Sequence, residues 1–469
     1  MSFPFNKLPG RAIDPEGRRL IGFTFEDREP IFAPKGHSST YAANGTGKTT
    51  CIGVPGLLSL ASSEPRKAIF MFDSKEEIAA QVANMLDKQG RKVAVIDDMG
   101  VHPEFAHLRV NLNPFGAAVA TYRHDQRDLV FTLDTIVNAL IPEPAGGDAK
   151  NKWFRDVPRD INRFGIAVLL KNSTALATPG SLSDILCDPA MLKGLAEIEA
   201  TEGHPMLQAL ARTVLEAASH ESWPQHVSEA RRSLYLFSPG TRLHDAGINA
   251  SISHEDLIRE GYIIFLVGPQ RFMNSLGPYY ALHILAFCDA LYNGAGALRI
   301  LADEFTNSPL ASMVSALTTL RAFGGEAHMI SQSRSEVIRK FGAREAETIE
   351  DNSITKHWLS FSFEEAERVS KAMGEQHAVA EGLNGERPGL KTQTNMSLIK
   401  QPQMSPAELM ALPRGQVLTH IQGVGFFRHW AVYQNQIAPY CNLIADNPLE
   451  GKRLPPDPKV KLVIPGRKS

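Results

Sequence analysis

Short apolar runs alternate with longer amphipathic stretches along most of this chain. AIFMFD (68–73) is an apolar run closed by an acid, the form of a strand buried on both faces of a parallel sheet. KVAVID (92–97), YIIFLVG (262–268), RILAD (299–303) and HMISQ (328–332) have a similar form, and HWLSFS (357–362) and QVLTHIQG (416–423) read as further strands. Between them the spacing predicts helices near 49–60 and over 76–89, 276–293 and 308–322. Strands alternating with helices imply an α/β fold, a parallel sheet covered on both faces by right-handed crossovers.

From about 118 to 237 the pattern becomes purely helical. Leu129, Leu133, Ile136 or Val137, and Leu140 fall on one helical face, and similar helices fit 153–170, 204–219 and 225–236. PAGGDAKNK (144–152) reads as a flexible joint. The plan that follows is an extended lead-in over 1–35, an α/β part over 36–117 and an all-α insertion over 118–237. A second α/β part over 238–444 and a solvated, flexible tail over 445–469 complete it. The lead-in carries five prolines, and the tail six basic against three acidic residues.

Composition narrows the partners. At 469 residues the chain exceeds one comfortable core. A net charge of −2 excludes a global basic field, so contact with DNA would come from local patches or from a ring of subunits. Four scattered cysteines without a C-x-x-C pair point to a reducing compartment and no zinc site. The first twenty residues lack the apolar core of a signal peptide, and no apolar run approaches the ~20 residues of a membrane helix. The expectation is a soluble, cytoplasmic protein, peripheral at the inner membrane only through partners.

The chemistry starts at YAANGTGKTT (41–50). A phosphate-binding loop reads G-x-x-x-x-G-K-[ST]. Here Ala42 replaces the first glycine, but Asn44, Gly45, Thr46, Gly47, Lys48, Thr49 and Thr50 supply the part that matters. Gly45 and Gly47 let successive N–H groups turn inward around phosphates, Lys48 reaches the β- and γ-phosphates, and the Thr49 hydroxyl ligates magnesium. The following helix aims its positive end at the anion. The strand expected before the loop, HSSTYAA, is unusually polar.

Two later strand ends complete the candidate site. LADEF (301–305) places Asp303 where it can hold magnesium and Glu304 where it can polarise the attacking water. Gln332, closing HMISQ, fits a sensor of the γ-phosphate and equally an ordinary polar strand end. Open α/β sheets bind ligands at such ends. ATP and Mg²⁺ are the implied cofactors, with Glu304, Lys48 and Gln332 catalytic and Thr49 and Asp303 at the metal.

The ordered set resembles the TraG-like conjugative coupling proteins of type IV secretion. GHSSTYAANGTGKTTCIGVPGLL (36–58), MFDSKEE (71–77), NLNPF (111–115), LADEF and ISQS (330–333) are similar to the family's motifs, with Glu76 where glycine is usual. FSFEEAERVSKAMGE (361–375) and MSPAELMALPRGQVLTHIQG (404–423) resemble its closing segments. The resemblance covers about 36–435. It implies a RecA-like P-loop NTPase with an inserted all-α domain that recognises substrate, in a hexamer around a DNA path.

On that resemblance the chain is an ATPase that recruits or translocates DNA and protein substrates. Its partners are DNA bound without sequence preference, a relaxase or other DNA-processing complex, and type IV secretion channel proteins. Two other readings stay open: a nucleotide-regulated substrate receptor without motor activity, and a DNA pump of another P-loop branch. Arg321 and Arg334, near the Gln332 strand, are candidates for an arginine finger, and each also fits a solvated helix surface.

Overall fold

The structure, a computed structural model, describes residues 17–144, 152–307, 311–384, 393–449 and 451–465. Its strands, in chain order, are β1 (Arg19–Phe23), β2 (Pro30–Ala33), β3 (Ser38–Tyr41), β4 (Ala68–Asp73), β5 (Val93–Ile96), β6 (Ile263–Val267), β7 (Leu298–Asp303) and β8 (Gly325–Ser331). They continue with β9 (Thr355–Trp358), β10 (Glu375–Asn384), β11 (Gln393–Pro402), β12 (Gln416–Ile421), β13 (Gly425–Trp430), β14 (Ile437–Ala438) and β15 (Val460–Lys461). One sheet runs β2-β1-β13-β12-β9-β3-β8-β7-β4-β6-β5, while β10–β11 and β14–β15 form separate pairs.

From β9 to β5 neighbouring strands are parallel, with Asp73 of β4 level with Asp303 of β7 and Tyr41 of β3 level with Ser331 of β8. The other half departs from the expected parallel sheet. β12 runs antiparallel to β9, and β13, β1 and β2 continue antiparallel to the edge. Three residues join β12 to β13, far too few for a crossover, so only a hairpin can form.

The helices sort onto the two faces. α1 (Val54–Ser63) and α2 (Ile78–Lys88) share one apolar core with β1, β4, β5 and β6. The helical block between β5 and β6 holds α3 (Gly116–His124), α4 (Leu129–Leu140), α5 (Trp153–Asn172), α6 (Pro179–Cys187), α7 (Pro189–Glu202), α8 (Pro205–Ala218), α9 (Trp223–Ser233) and α10 (His254–Arg259). Proline opens α6, α7 and α8, where its missing N–H costs nothing and its fixed φ suits the first turn.

The second face carries α11 (Gly277–Tyr292), α12 (Ala311–Leu320), α13 (Arg334–Phe341), α14 (Ala343–Asn352), α15 (Phe363–Met373) and α16 (Pro406–Met410). Nearly every side chain of α11 is buried, which is why its sequence lacks a polar stripe. The core continues from Phe70, Phe72 and Leu266 through α11 to Leu129, Leu133, Ile136, Val137 and Leu140 of α4. NLNPF joins the start of the block to its end: Asn111 bonds the main chain of Gly247 and Ile248, and Asn113 donates to the Ala177 carbonyl.

Two terminal segments differ from expectation. Residues 19–33, read as part of an extended lead-in, form the β1–β2 hairpin, because RLIGF and IFA find a sheet edge that buries them. Residues 460–464 are no solvated tail. β15 pairs with β14, and Leu462 and Ile464 enter the core beside Tyr440. VKLVI is a short apolar run inside a longer charged, proline-rich segment, so it leaves little trace in composition, yet its buried residues dominate where the segment goes. Leu462→Ala is expected to cost about 2–4 kcal/mol in denaturant unfolding, whereas a solvated tail predicts no change.

The polar β3 is buried in full. Ser38 and Tyr41 find partners elsewhere in the fold, Tyr41 donating to Glu350 Oε1 (3.0 Å), while the buried Ser39 Oγ has none. Arg19 donates to Ser38 Oγ (2.9 Å) and to His357 Nε2 (3.2 Å), and Ser38 Oγ also meets His328 Nδ1 (2.9 Å). Because arginine only donates, His357 must accept at Nε2 and donate Nδ1–H to Thr419 Oγ1 (2.8 Å). Thr419 then gives its proton to His429 Nε2 (2.8 Å), whose Nδ1–H reaches the Trp430 carbonyl (3.0 Å). The chain of bonds needs both imidazoles neutral.

Burial keeps them so: His328 and His357 sit well below their ordinary value and His429 at about 4. The unfolded chain titrates these groups near 6.5. As pH falls from 7 towards 4, the unfolded state therefore takes up more protons and the folded state loses stability. The thermal midpoint should fall steeply below pH 6.5, and His429→Gln should flatten that slope whatever it does to the midpoint at pH 7.5.

Candidate nucleotide-binding site

The loop after β3 opens where the parallel half of the sheet ends. Ala42 is fully buried, its N–H continues the ladder to the Ser331 carbonyl (3.0 Å), and its φ is negative, so the position does not require glycine. The left-handed positions come later, at Gly45 (φ 75°) and Gly47 (φ 90°), where a Cβ would be strained. Residues Thr49–Gly53 make one wide π-helical turn before α1. Pro55 has no N–H to offer the Cys51 carbonyl, so a regular α turn could not close there. Lys48 and Thr49 are buried, whereas Asn44 and Gly45 are exposed at the tip. Thr50 spends its hydroxyl on the Gly47 carbonyl (3.1 Å). Ala43 N–H is held by Ser360 Oγ (2.9 Å), from the segment after β9.

Four neighbouring strands end around this loop. The Lys48 ammonium is paired with Glu304 Oε1, just past β7. Lys75, past β4, pairs with the same oxygen at 2.5 Å, and Gln332, past β8, donates to Oε2 at 3.4 Å. Glu304 takes φ 51°, a left-handed conformation that costs a non-glycine residue about 1 kcal/mol. The paired cations and Gln332 supply the offsetting contacts. Glu76 is also left-handed (φ 58°), which accounts for the glycine usual there in the resembling proteins.

The adjacent acids are driven apart electrostatically. Burial pushes Asp303 up to about 7, helped by the charge of Glu304 and opposed by Lys48 and Lys75. Burial would raise Glu304 too, but Lys48 and Lys75 overcome it and hold the carboxyl below its ordinary value. Both oxygens of Asp303 are buried and have no hydrogen-bond partner.

Asp73 and Lys75 lie in MFDSKEE, a motif without a role assigned from sequence. Asp73 accepts from the N–H groups of Glu77 (3.1 Å) and Ala79 (2.7 Å), anchoring the start of α2. Lys75 joins the cluster on Glu304, and its signals in the sequence were its place in MFDSKEE and its position two residues past an acid-ended strand. Of the arginines, Arg334 is tied to Glu350 (3.1 Å), and Arg321 lies before β8, at the end of that strand away from Lys48. Neither is brought to Glu304.

The fold is that of a RecA-like P-loop NTPase with an all-α insertion. The bacterial conjugative coupling protein TrwB, in its unbound ΔN70 form, has a TM-score of 0.64 at 16% identity, with 88% of each chain covered. TrwB in complex with ADP and Mg²⁺ has a TM-score of 0.61 at 15% identity, covering 85% of each chain. VirB4 of Thermoanaerobacter pseudethanolicus gives 0.53 at 14%, covering 91% of this chain and 98% of that one. The family described as type IV secretory system conjugative DNA transfer matches residues 14–137, and the TraM recognition site of TraD and TraG matches 297–414. The chain belongs to the TraG-like conjugative coupling proteins. No curated protein matches it. Among the described residues no helix is long and apolar enough to cross a membrane.

The anchoring role of Asp73 is testable apart from any ligand. Asp73→Ala should lower stability by about 1–2 kcal/mol, measured by denaturant unfolding. A loss below the error of that measurement would exclude the anchor.

Proposed function

We propose that this chain hydrolyses ATP with magnesium and uses the cycle to recruit or translocate DNA and protein substrates in conjugative transfer or type IV secretion. The observation that carries the reading is the Asp303 carboxylate, buried without a donor beside the cluster of Lys48, Lys75 and Glu304. An orphaned buried carboxylate is costly, and a hydrated divalent cation is a fitting partner. Among the described residues no three His, Cys, Asp or Glu side chains are grouped to hold a metal alone. Magnesium does not need such a cage, since it keeps several waters and takes one or two protein oxygens plus phosphates. Thr49 and Asp303 would hold it, and when bound it would neutralise charge on the phosphates.

The protein's own part follows from the pairing. Main-chain N–H groups of 44–50 surround the phosphates and Lys48 turns to their β and γ groups. A triphosphate thus competes with Glu304 for Lys48. As Lys48 shifts, Glu304 loses one of the two cations that depress it and becomes more basic, while Lys75 and Gln332 keep it in place. It can then orient a water and take its proton. RecA-like subunits in a ring, a hexamer here, would transmit the change to loops gripping the phosphate backbone. With so little net charge per subunit, DNA binding should be salt-sensitive, sequence-tolerant and dependent on the oligomer.

DNA-stimulated ATP hydrolysis tests this directly. Lys48→Ala and Glu304→Gln should each lose about 100-fold or more in turnover, with Glu304→Gln still binding nucleotide. Wild-type protein that binds ATP and never turns it over, with or without DNA and partners, would instead identify a nucleotide-regulated receptor.

A further inference from the structure

Beside the loop lies an open-mouthed cavity of about 240 Å³. Pockets that take whole drug-sized ligands run to about 300–1,000 Å³, and a single heterocycle needs less. Gly45, Thr46 and Cys51 form its near wall, so it opens directly off the turn that would surround the phosphates. Leu359, Phe361, Met410, Leu412 and Val417 make most of the remainder apolar. A chamber of this character within a nucleoside's reach of a phosphate loop suits an aromatic heterocycle.

Two side chains make it specific. Tyr433 stands between loop and cavity: a Cβ on Gly47 would lie 3.7 Å from its Cε1, and one on Gly415 would lie 3.4 Å from its hydroxyl. Its half-buried ring can therefore offer a face to a base without moving far. Gln416, at the start of β12, also lines the cavity, and its Oε1 is buried with no hydrogen-bond partner. An orphaned acceptor in a mainly apolar chamber, whose wall also holds Ser360 and Arg414, favours a ligand that brings an N–H donor.

We propose that this cavity is the base subsite of the nucleotide site, that it selects adenine over guanine, and that Gln416 is the residue that decides. The proposal rests on the ATP reading above. Adenine presents its exocyclic N6 amine to the Gln416 oxygen, and carboxamides pair with that edge recurrently. Guanine places its O6 acceptor at the same position, against another acceptor. Tyr433 supplies stacking, which does not distinguish the two purines.

Equilibrium binding of MgATP, MgGTP and inorganic tripolyphosphate to the full chain separates these roles. Wild type should prefer ATP over GTP by about tenfold or more. Gln416→Leu should cut that preference to about twofold or less, mainly by weakening ATP. Tyr433→Ala should weaken both nucleotides about tenfold. Tripolyphosphate, which has no base, should bind wild type and both variants alike. Equal affinity of wild type for ATP and GTP overturns the proposal and leaves the phosphate loop intact. So does a loss of tripolyphosphate binding in the variants as large as their loss of ATP. If wild type binds none of the three, the nucleotide reading fails and the subsite falls with it.

Discussion

The pairing of Lys48 with Glu304 joins residues 256 apart in the chain, and the parallel register of the sheet makes it possible. β3, β8 and β7 lie side by side and end together, so the loop after the first, Gln332 after the second and Asp303–Glu304 at the third converge without any contact between their helices. β4 ends level with β7 and adds Lys75. One carboxylate shared by two ammoniums is held ionised at low cost, whereas its neighbour, denied any partner, is pushed towards neutrality. The chemistry of the cluster is thus set by strand order before any ligand is considered.

That register needs a rigid strand beneath the loop, and β3 secures one in an unusual way. A buried strand of serine and threonine would be destabilising by itself, since each unsatisfied hydroxyl is expensive away from water. For Ser38 the antiparallel half of the sheet supplies a partner and braces it. Arg19 comes from β1, Thr419 from β12 and His429 from β13, and their bonds run in one direction to a main-chain carbonyl. The strands outside the parallel core therefore serve more than edge protection: through Arg19 they hold Ser38 of the strand that carries the loop. The same half of the sheet contributes Gln416, and the segment that follows it Tyr433, to the cavity beside the loop.

Much of the fold was legible because period and burial agree. The acid-ended runs at 68–73 and 299–303 became β4 and β7, and the face of Leu129, Leu133, Ile136, Val137 and Leu140 became the buried side of α4. The candidate site was partly legible. The spacing of Gly45, Gly47 and Lys48 announces a turn, and strand-end acids announce where charge gathers, but the partner of Lys75 lay 229 residues away and had no local signature. Residues 19–33 and 460–464 were misread for a related reason. Their apolar runs are short, and whether a short run is core or surface depends on what lies opposite.

The amino-acid sequence alone determined most strands of the parallel core and the helices between them, where the chain could turn left-handed, and which side chains carry charge. Those properties are local, fixed by backbone sterics and by side-chain spacing within a few residues. Strand order and direction, the matching of a polar strand to distant donors, the burial that separates Asp303 from Glu304 and the cavity under Tyr433 were decided only by the tertiary structure. Each depends on groups that meet across dozens to hundreds of residues, and the energy of a buried charge or hydrogen bond is defined only once its neighbours have displaced water.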